Sequence, residues 1–182
     1  MIDADGLDAF SLGSVAKRLG VKSPSLYYHF ADKAELLAEV ARFILIDLAF
    51  EEDATRTWEE RTLALCIETR RSILKHPNTA PLLLQFFPRH LMLRAYEQTV
   101  KGYPQTRELH MAILEAIEKF TFGSTLFEAS ARARGVPPMP DVDPERFPNL
   151  AQSVAANRFD DEETFVEALR TIFAGVRFRT SA

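Results

Sequence analysis

The chain has 182 residues, 47% of them apolar, which suffices for a real core in one large or two small domains. Seven glycines and little strand-like alternation point to an all-α protein, and a net charge of −4 excludes a protein that coats nucleic acid through bulk charge. A single cysteine, Cys66, excludes an internal disulfide and a cysteine-built metal cluster and fits a reducing compartment.

The first readable helix starts at Ser11, a plausible N-cap, with Val15, Ala16 and Leu19 as its apolar stripe. Gly20 supplies the left-handed residue that stops it, Val21 plugs the turn, and Ser23-Pro24 reads as an N-cap followed by proline at the first helical position. This is a helix-turn-helix. Leu26 and Phe30 lie four apart and face the core, which turns Ser25, Tyr28 and His29 to another side. That polar, aromatic face is flanked by Lys17, Arg18, Lys22 and Lys33, a local basic surface suited to a major groove.

The stretch LGVKSPSLYYHFADKAELL resembles the recognition segment of TetR-family transcriptional regulators: leucine-glycine-valine, a short spacer, leucine-tyrosine-x-histidine-phenylalanine, then a lysine opening the next helix. The match covers about the first 45 residues, and Tyr27, His29, Phe30 and Lys33 make it more specific than a bare helix-turn-helix. The resemblance implies that Lys22, Ser23, Pro24 and Ser25 read bases, while Tyr27, Tyr28, His29 and Lys33 hold the phosphate backbone. Phe30 is expected to pack the small domain. Met1 to Phe10 looks like the end of the family's first helix and the loop after it, with most of that helix absent. Gly13 departs from the larger, often basic, residue many members carry there, and it costs roughly 1 kcal/mol of helix stability.

After Phe30, Asp32 and Glu35 form a capping-box-like start to a long helix carrying Leu36, Leu37, Val40, Ala41, Ile44, Leu45 and Leu48. Running to about Phe50, it should link two domains, a helix-turn-helix domain over 1–48 and a helical regulatory and dimerisation domain over 49–182. The polar stretch from Glu51 to Thr57 marks the boundary. Trp58 to Lys75 reads as a helix, followed by two shorter ones over about Thr79 to Phe87 and Arg89 to Lys101, punctuated by Pro77, Pro81, Pro88 and Pro104. The longest helix is expected from about Gln105 to Arg134, with Leu109, Ile113, Ile117, Phe120, Phe127 and Ala131 as its stripe. Gly135 and the cluster Pro137, Pro138 and Pro140 stop it. A short helical piece follows over Asn149 to Ala156, and Asp160 with Glu163 caps a last helix.

The two terminal helices resemble the pair with which the family builds a four-helix dimer interface. Phe120, Gly123, Ser124, Phe127, Phe165, Leu169, Ile172 and Phe173 are its candidates. Two-fold pairing also follows from physics, because one short recognition helix reads few bases and a palindromic double-stranded DNA operator doubles the contacts. In the middle helices, the bundle from Trp58 to Phe127, Phe86, Met92, Tyr96, Met111 and Phe122 could line a cavity for a small-molecule effector. Cys66, Arg70, His90 and Glu115 are the polar handles, although aromatics and methionines at this spacing also build ordinary cores.

His29, His76, His90 and His110 lack the close helical pairing of a metal site, so no metal and no cofactor are expected. Neither a phosphate loop nor a plausible catalytic triad is present, which points away from an enzyme. With no signal peptide and no apolar run long enough for a bilayer, a cytoplasmic location without membrane contact is expected. The expected function is a transcriptional regulator, a repressor released by its effector. The alternative is a protein-docking module that uses the tyrosine-rich helix without specific DNA binding.

Overall fold

The computed structural model describes residues 1–7, 9–46, 55–101, 103, 106–137 and 139–180, and every regular element among them is a helix. The expected helix end at Leu48 or Phe50, the 48/49 boundary with the start of the Glu51 stretch, Pro104, the start at Gln105 and Pro138 lie outside the described residues.

A single turn, α1 (Ile2–Asp5), precedes α2 (Leu12–Leu19), which opens on a reciprocal cap. The Ser11 hydroxyl accepts from the Ser14 N–H at 3.0 Å, and the Ser14 hydroxyl accepts from the Ser11 N–H at 2.9 Å. Gly20 closes the helix at φ 69°, and the Val21 N–H reaches back to the Ala16 carbonyl at 3.0 Å, so two otherwise orphaned carbonyls are satisfied. In α3 (Ser23–Tyr27) the cap is Lys22 rather than Ser23, one residue earlier than the sequence led us to expect. Leu12, Ala16 and Leu26 fill the small packed face between these helices. Leu19 and Val21, expected inside, are left at the surface.

The next helix, α4 (Lys33–Ile46), starts as expected: Asp32 Oδ1 accepts from the Glu35 N–H at 2.9 Å, and Glu35 reaches back to the Ala31 N–H at 2.5 Å. Its Leu36, Leu37, Ala41, Ile44 and Leu45 are buried. The cluster they join does not stop at a domain edge. It runs from Ile2, Phe10 and Leu12 through α4 to Ile73, Ala80, Leu82, Leu83 and Ala129. Polar ties follow the same seam, since Asp3 Oδ2 meets His76 Nδ1 at 2.6 Å, Asn78 donates to the Asp3 carbonyl at 2.8 Å, and Ser72 donates to the Ile44 carbonyl.

The second part begins with α5 (Trp58–Leu74), capped reciprocally by Thr57 and Glu60. It continues through α6 (Leu82–Gln85), α7 (Pro88–Leu91), α8 (Leu93–Lys101), α9 (Arg107–Arg134), α10 (Pro148–Ala156) and α11 (Asp161–Thr180). The segment from Arg89 to Lys101, expected as one helix, is broken at Met92, whose backbone leaves the helical region at φ −132°. In α9 the buried ridge is Ile117, Thr121, Thr125 and Ala129, four apart, rather than a stripe through Phe120 and Phe127. Phe127 is 82% exposed.

A second cluster unites α5, α9 and α11 around Trp58, Cys66, Ile117, Phe165, Leu169 and Phe173. The Trp58 indole donates to the Thr99 carbonyl at 2.9 Å and meets Tyr103 and Phe173 edge-on, while Phe120 stacks on Phe165 at 5.4 Å. Phe165, Leu169 and Phe173 were expected at a subunit seam, yet the structure places them in the protomer's own core, with Phe173 only 2% exposed. Burying each is worth about 1.5–3 kcal/mol, so α11 is first an intrachain element.

Candidate nucleic-acid interface and inner cavity

Every residue proposed to touch DNA is exposed: Lys22, Ser23, Pro24, Ser25, Tyr27, Tyr28, His29 and Lys33. Because Leu26 alone of α3 is buried, the rest of that short helix faces outward, with its serines at the leading end and its phenols at the trailing one. Tyr28 is 88% exposed and packs edge-on against His29, ring centres 5.3 Å apart. An apolar ring held so far into water gains nothing for the fold, whereas a phenol O–H there can donate to a phosphate oxygen. Phe30, as expected, packs against the core. Lys33 stands exposed at the first residue of α4, a helix N-terminus, where an ammonium and backbone N–H groups can serve one anion.

The inner cavity lies among α5, α8 and α9, and is about 70 Å³. Four of the nine expected residues line it: Cys66, Met92, Tyr96 and Phe122. His90 lines an adjoining outer groove of about 450 Å³, which shares Pro88, Glu118 and Phe122 with the inner cavity as a common wall. The other four do not line the inner cavity. Arg70 is held by Glu128, Glu115 pairs with Arg89, Met111 is exposed, and Phe86 packs on the interdomain core. Sequence reasoning missed Thr62, Thr69, Thr99 and Thr121, which line the cavity beside Tyr96 and Glu118. Thr62 and Thr69 lie seven apart and so share a face of α5, but nothing in the sequence says that this face borders a cavity.

Glu118 is the one carboxylate on that wall among the described residues, and it is fully engaged. Its Oε1 accepts from Arg89 Nε at 3.0 Å and from the Tyr96 hydroxyl at 2.6 Å, and Arg89 also donates to Glu115. Burial, then the Glu118 hydrogen bond, raises the Tyr96 phenol well above its ordinary range. Burial likewise pushes the Cys66 thiol up from 9.0 to about 11, with the Thr121 side chain acting the other way. At pH 8 that shift cuts the thiolate fraction from about a tenth to about a thousandth. Iodoacetamide should therefore label Cys66 roughly a hundredfold more slowly in folded than in urea-unfolded protein. Equal rates would mean that solvent reaches the thiol.

A third feature is a groove between α9 and α11, lined by Ala112, Ala116, Ile172, Gly175 and others. Its small residues allow another helix to approach closely, and the exposed Phe127 lies farther along the α9 face that carries Ala116 and Gly123.

Residues 1–40 match the family model described as bacterial regulatory proteins, tetR family. Residues 51–180 match that of the tetracyclin repressor-like C-terminal domain. The tetracycline repressor protein class D of Escherichia coli is 23% identical over all of this chain and 86% of its own length. A possible TetR family transcriptional regulator from Streptomyces coelicolor A3(2) superposes with a TM-score of 0.81 at 24% identity, covering 97% of this chain and 93% of its own. The Streptomyces coelicolor protein ActR, solved in complex with actinorhodin, gives 0.75 at 24% identity over 100% of this chain and 93% of its own.

Proposed function

The chain belongs to the TetR family of bacterial regulatory proteins, and from that premise we infer that it represses transcription as a homodimer and leaves its operator when a small molecule fills the inner cavity. One observation carries the coupling. Leu65, Met92 and Phe122 line the cavity and also pack on the cluster that holds Leu36, Leu37, Ala41, Ile44 and Leu45 of α4. A ligand that displaces them disturbs the seat of α4, and α4 carries Lys33 and the α3 face at its far end. Two such faces must sit roughly 34–36 Å apart to enter successive major grooves, so a small tilt at the seat is magnified where it matters. The ligand shifts the equilibrium only by its differential affinity for the tilted state, commonly about 1–3 kcal/mol. That a neighbouring fold, ActR, was solved with actinorhodin bound supports an effector-binding role for this domain.

Homodimerisation uses the α9 and α11 face that remains uncovered in one protomer. Phe127, Gly123, Ser124 and Ile172, together with the Ala112 and Ala116 groove, support this assignment by their position. No described helix is long and apolar enough to cross a membrane.

The DNA-binding reading is tested by salt-titrated binding to operator DNA. Lys33→Ala should lower affinity for all sequences alike and reduce the slope of log affinity against log salt by about one. Tyr28→Ala should lower affinity without changing the slope. Native protein that fails to bind any fragment of its own upstream region sequence-specifically would overturn the reading.

A further inference from the structure

We propose that the inner cavity takes an uncharged, largely apolar molecule bearing one neutral oxygen, a carbonyl or hydroxyl, which pairs with the hydroxyls of Thr62 and Thr121. This rests on the effector-release reading above and names the class of effector.

Threonine in a helix commonly satisfies its hydroxyl on the carbonyl four residues earlier. The neighbours of these two do so: Thr69 donates to the Leu65 carbonyl at 2.7 Å, Thr99 to Ala95 at 2.9 Å, and Thr125 to Thr121 at 2.6 Å. Thr62 and Thr121 do not, although they are 1% and 3% exposed and both line the cavity. Thr121 faces the Cys66 thiol, a weak hydrogen-bonding group, and no bond of normal geometry joins them. A buried hydroxyl without a partner is a standing cost to the fold, and a ligand oxygen that reaches it recovers that cost as affinity.

Charge on the ligand is selected against. Among the described residues of the inner cavity there is no lysine, arginine or histidine, so an anion there would find no counter-charge and would face Glu118; in the outer groove, which His90 also lines, Arg89 is already paired with Glu115 and Glu118 and Lys119 with Glu115. A cation fares no better, because Glu118 already accepts from Arg89 and Tyr96. The remaining wall, including Leu65, Met92, Leu114, Ile117 and Phe122, is apolar. At about 70 Å³ the inner cavity holds less than the roughly 300–1,000 Å³ usual for ligand sites, so a larger molecule must part Pro88, Glu118 and Phe122 and extend into the outer groove.

Three probes of one skeleton test this: benzophenone, its hydrocarbon analogue diphenylmethane, and the anion 4-benzoylbenzoate, each titrated calorimetrically into the full chain. Benzophenone should bind at least tenfold more tightly than diphenylmethane, and 4-benzoylbenzoate should not bind over the same range. Thr62→Val with Thr121→Val should erase the preference for the ketone, whereas Thr62→Ser with Thr121→Ser should keep it. The valine variants should also melt higher, by roughly 2–4 °C for each kcal/mol recovered, since unpaired hydroxyls are removed. Equal binding of ketone and hydrocarbon overturns the proposal, as does tighter binding of the anion, a ketone preference that survives in the valine variant, a fall in its Tm, or no binding of any probe. Operator binding is measured on the same native sample. A chain that binds operator but no probe loses this inference and keeps the regulatory reading, while one that binds benzophenone but no DNA does the reverse.

Discussion

Glu128→Ala should destabilise the protein by about 3–5 kcal/mol, and Arg70→Met by much less, although the two residues form one ion pair. Arg70 is 3% exposed, with Nη2 at 2.5 Å from Glu128, Nη1 at 3.6 Å from Glu162, and its guanidinium over the Phe165 ring. A guanidinium cannot shed its proton, so without Glu128 the positive charge stays in the core with one distant partner. The reverse deletion is milder, because Glu128 keeps Arg132 at 2.7 Å and methionine refills the space the arginine stem leaves. Thermal unfolding of both variants checks this: at about 2–4 °C per kcal/mol, the alanine variant should melt roughly 6–20 °C lower. Equal losses would show that solvent reaches the guanidinium. Arg70 thus joins α5, α9 and α11, and the polar character that suggested a ligand handle serves the fold.

Leu45→Ala should cost about 2–5 kcal/mol and leave unfolding a single cooperative transition. Leu45 is fully buried where the core of the DNA-reading helices meets Ile73, Leu82 and Leu83. The missing methyls open a cavity in a wall that serves both parts, so neither can melt while the other stays intact. Calorimetry resolving two transitions, with the lower one shifted by the substitution, would show instead that the helix-turn-helix folds on a core of its own.

Much of the fold could be read locally. Ser11, Asp32 and Asp160 sit three residues before side chains able to return the bond, and Gly20 and Gly135 close helices at φ 69° and 63°. Cap and stop signals act over a few residues, so they survive without tertiary context. The break at Met92 had no such signal; the residue lines the cavity, and packing there overrides helical continuity. Phe165, Leu169 and Phe173, four apart, share the buried face of α11. Periodicity says which side chains share a face, however, and cannot say whether the same chain or a second one covers it. The exposed face of α3 was legible because a surface motif depends on local spacing, whereas the cavity depends on which helices meet, and threonines do not announce themselves as its lining.

The brevity of α3 bears on how a genome is searched. Five residues at about 1.5 Å each span roughly 7.5 Å, close to two base-pair steps of about 3.4 Å. Even with its flanks, one protomer can hardly discriminate more than about four base pairs, a word that recurs by chance roughly every 256 positions. Two protomers at fixed separation square that number to about 65,000, still far short of the roughly 10⁶–10⁹ competing sites a genome offers. A regulator built this way cannot be made unique by its recognition helix. The rest of its selectivity must come from sequence-dependent DNA shape and from how many copies of the protein the cell keeps.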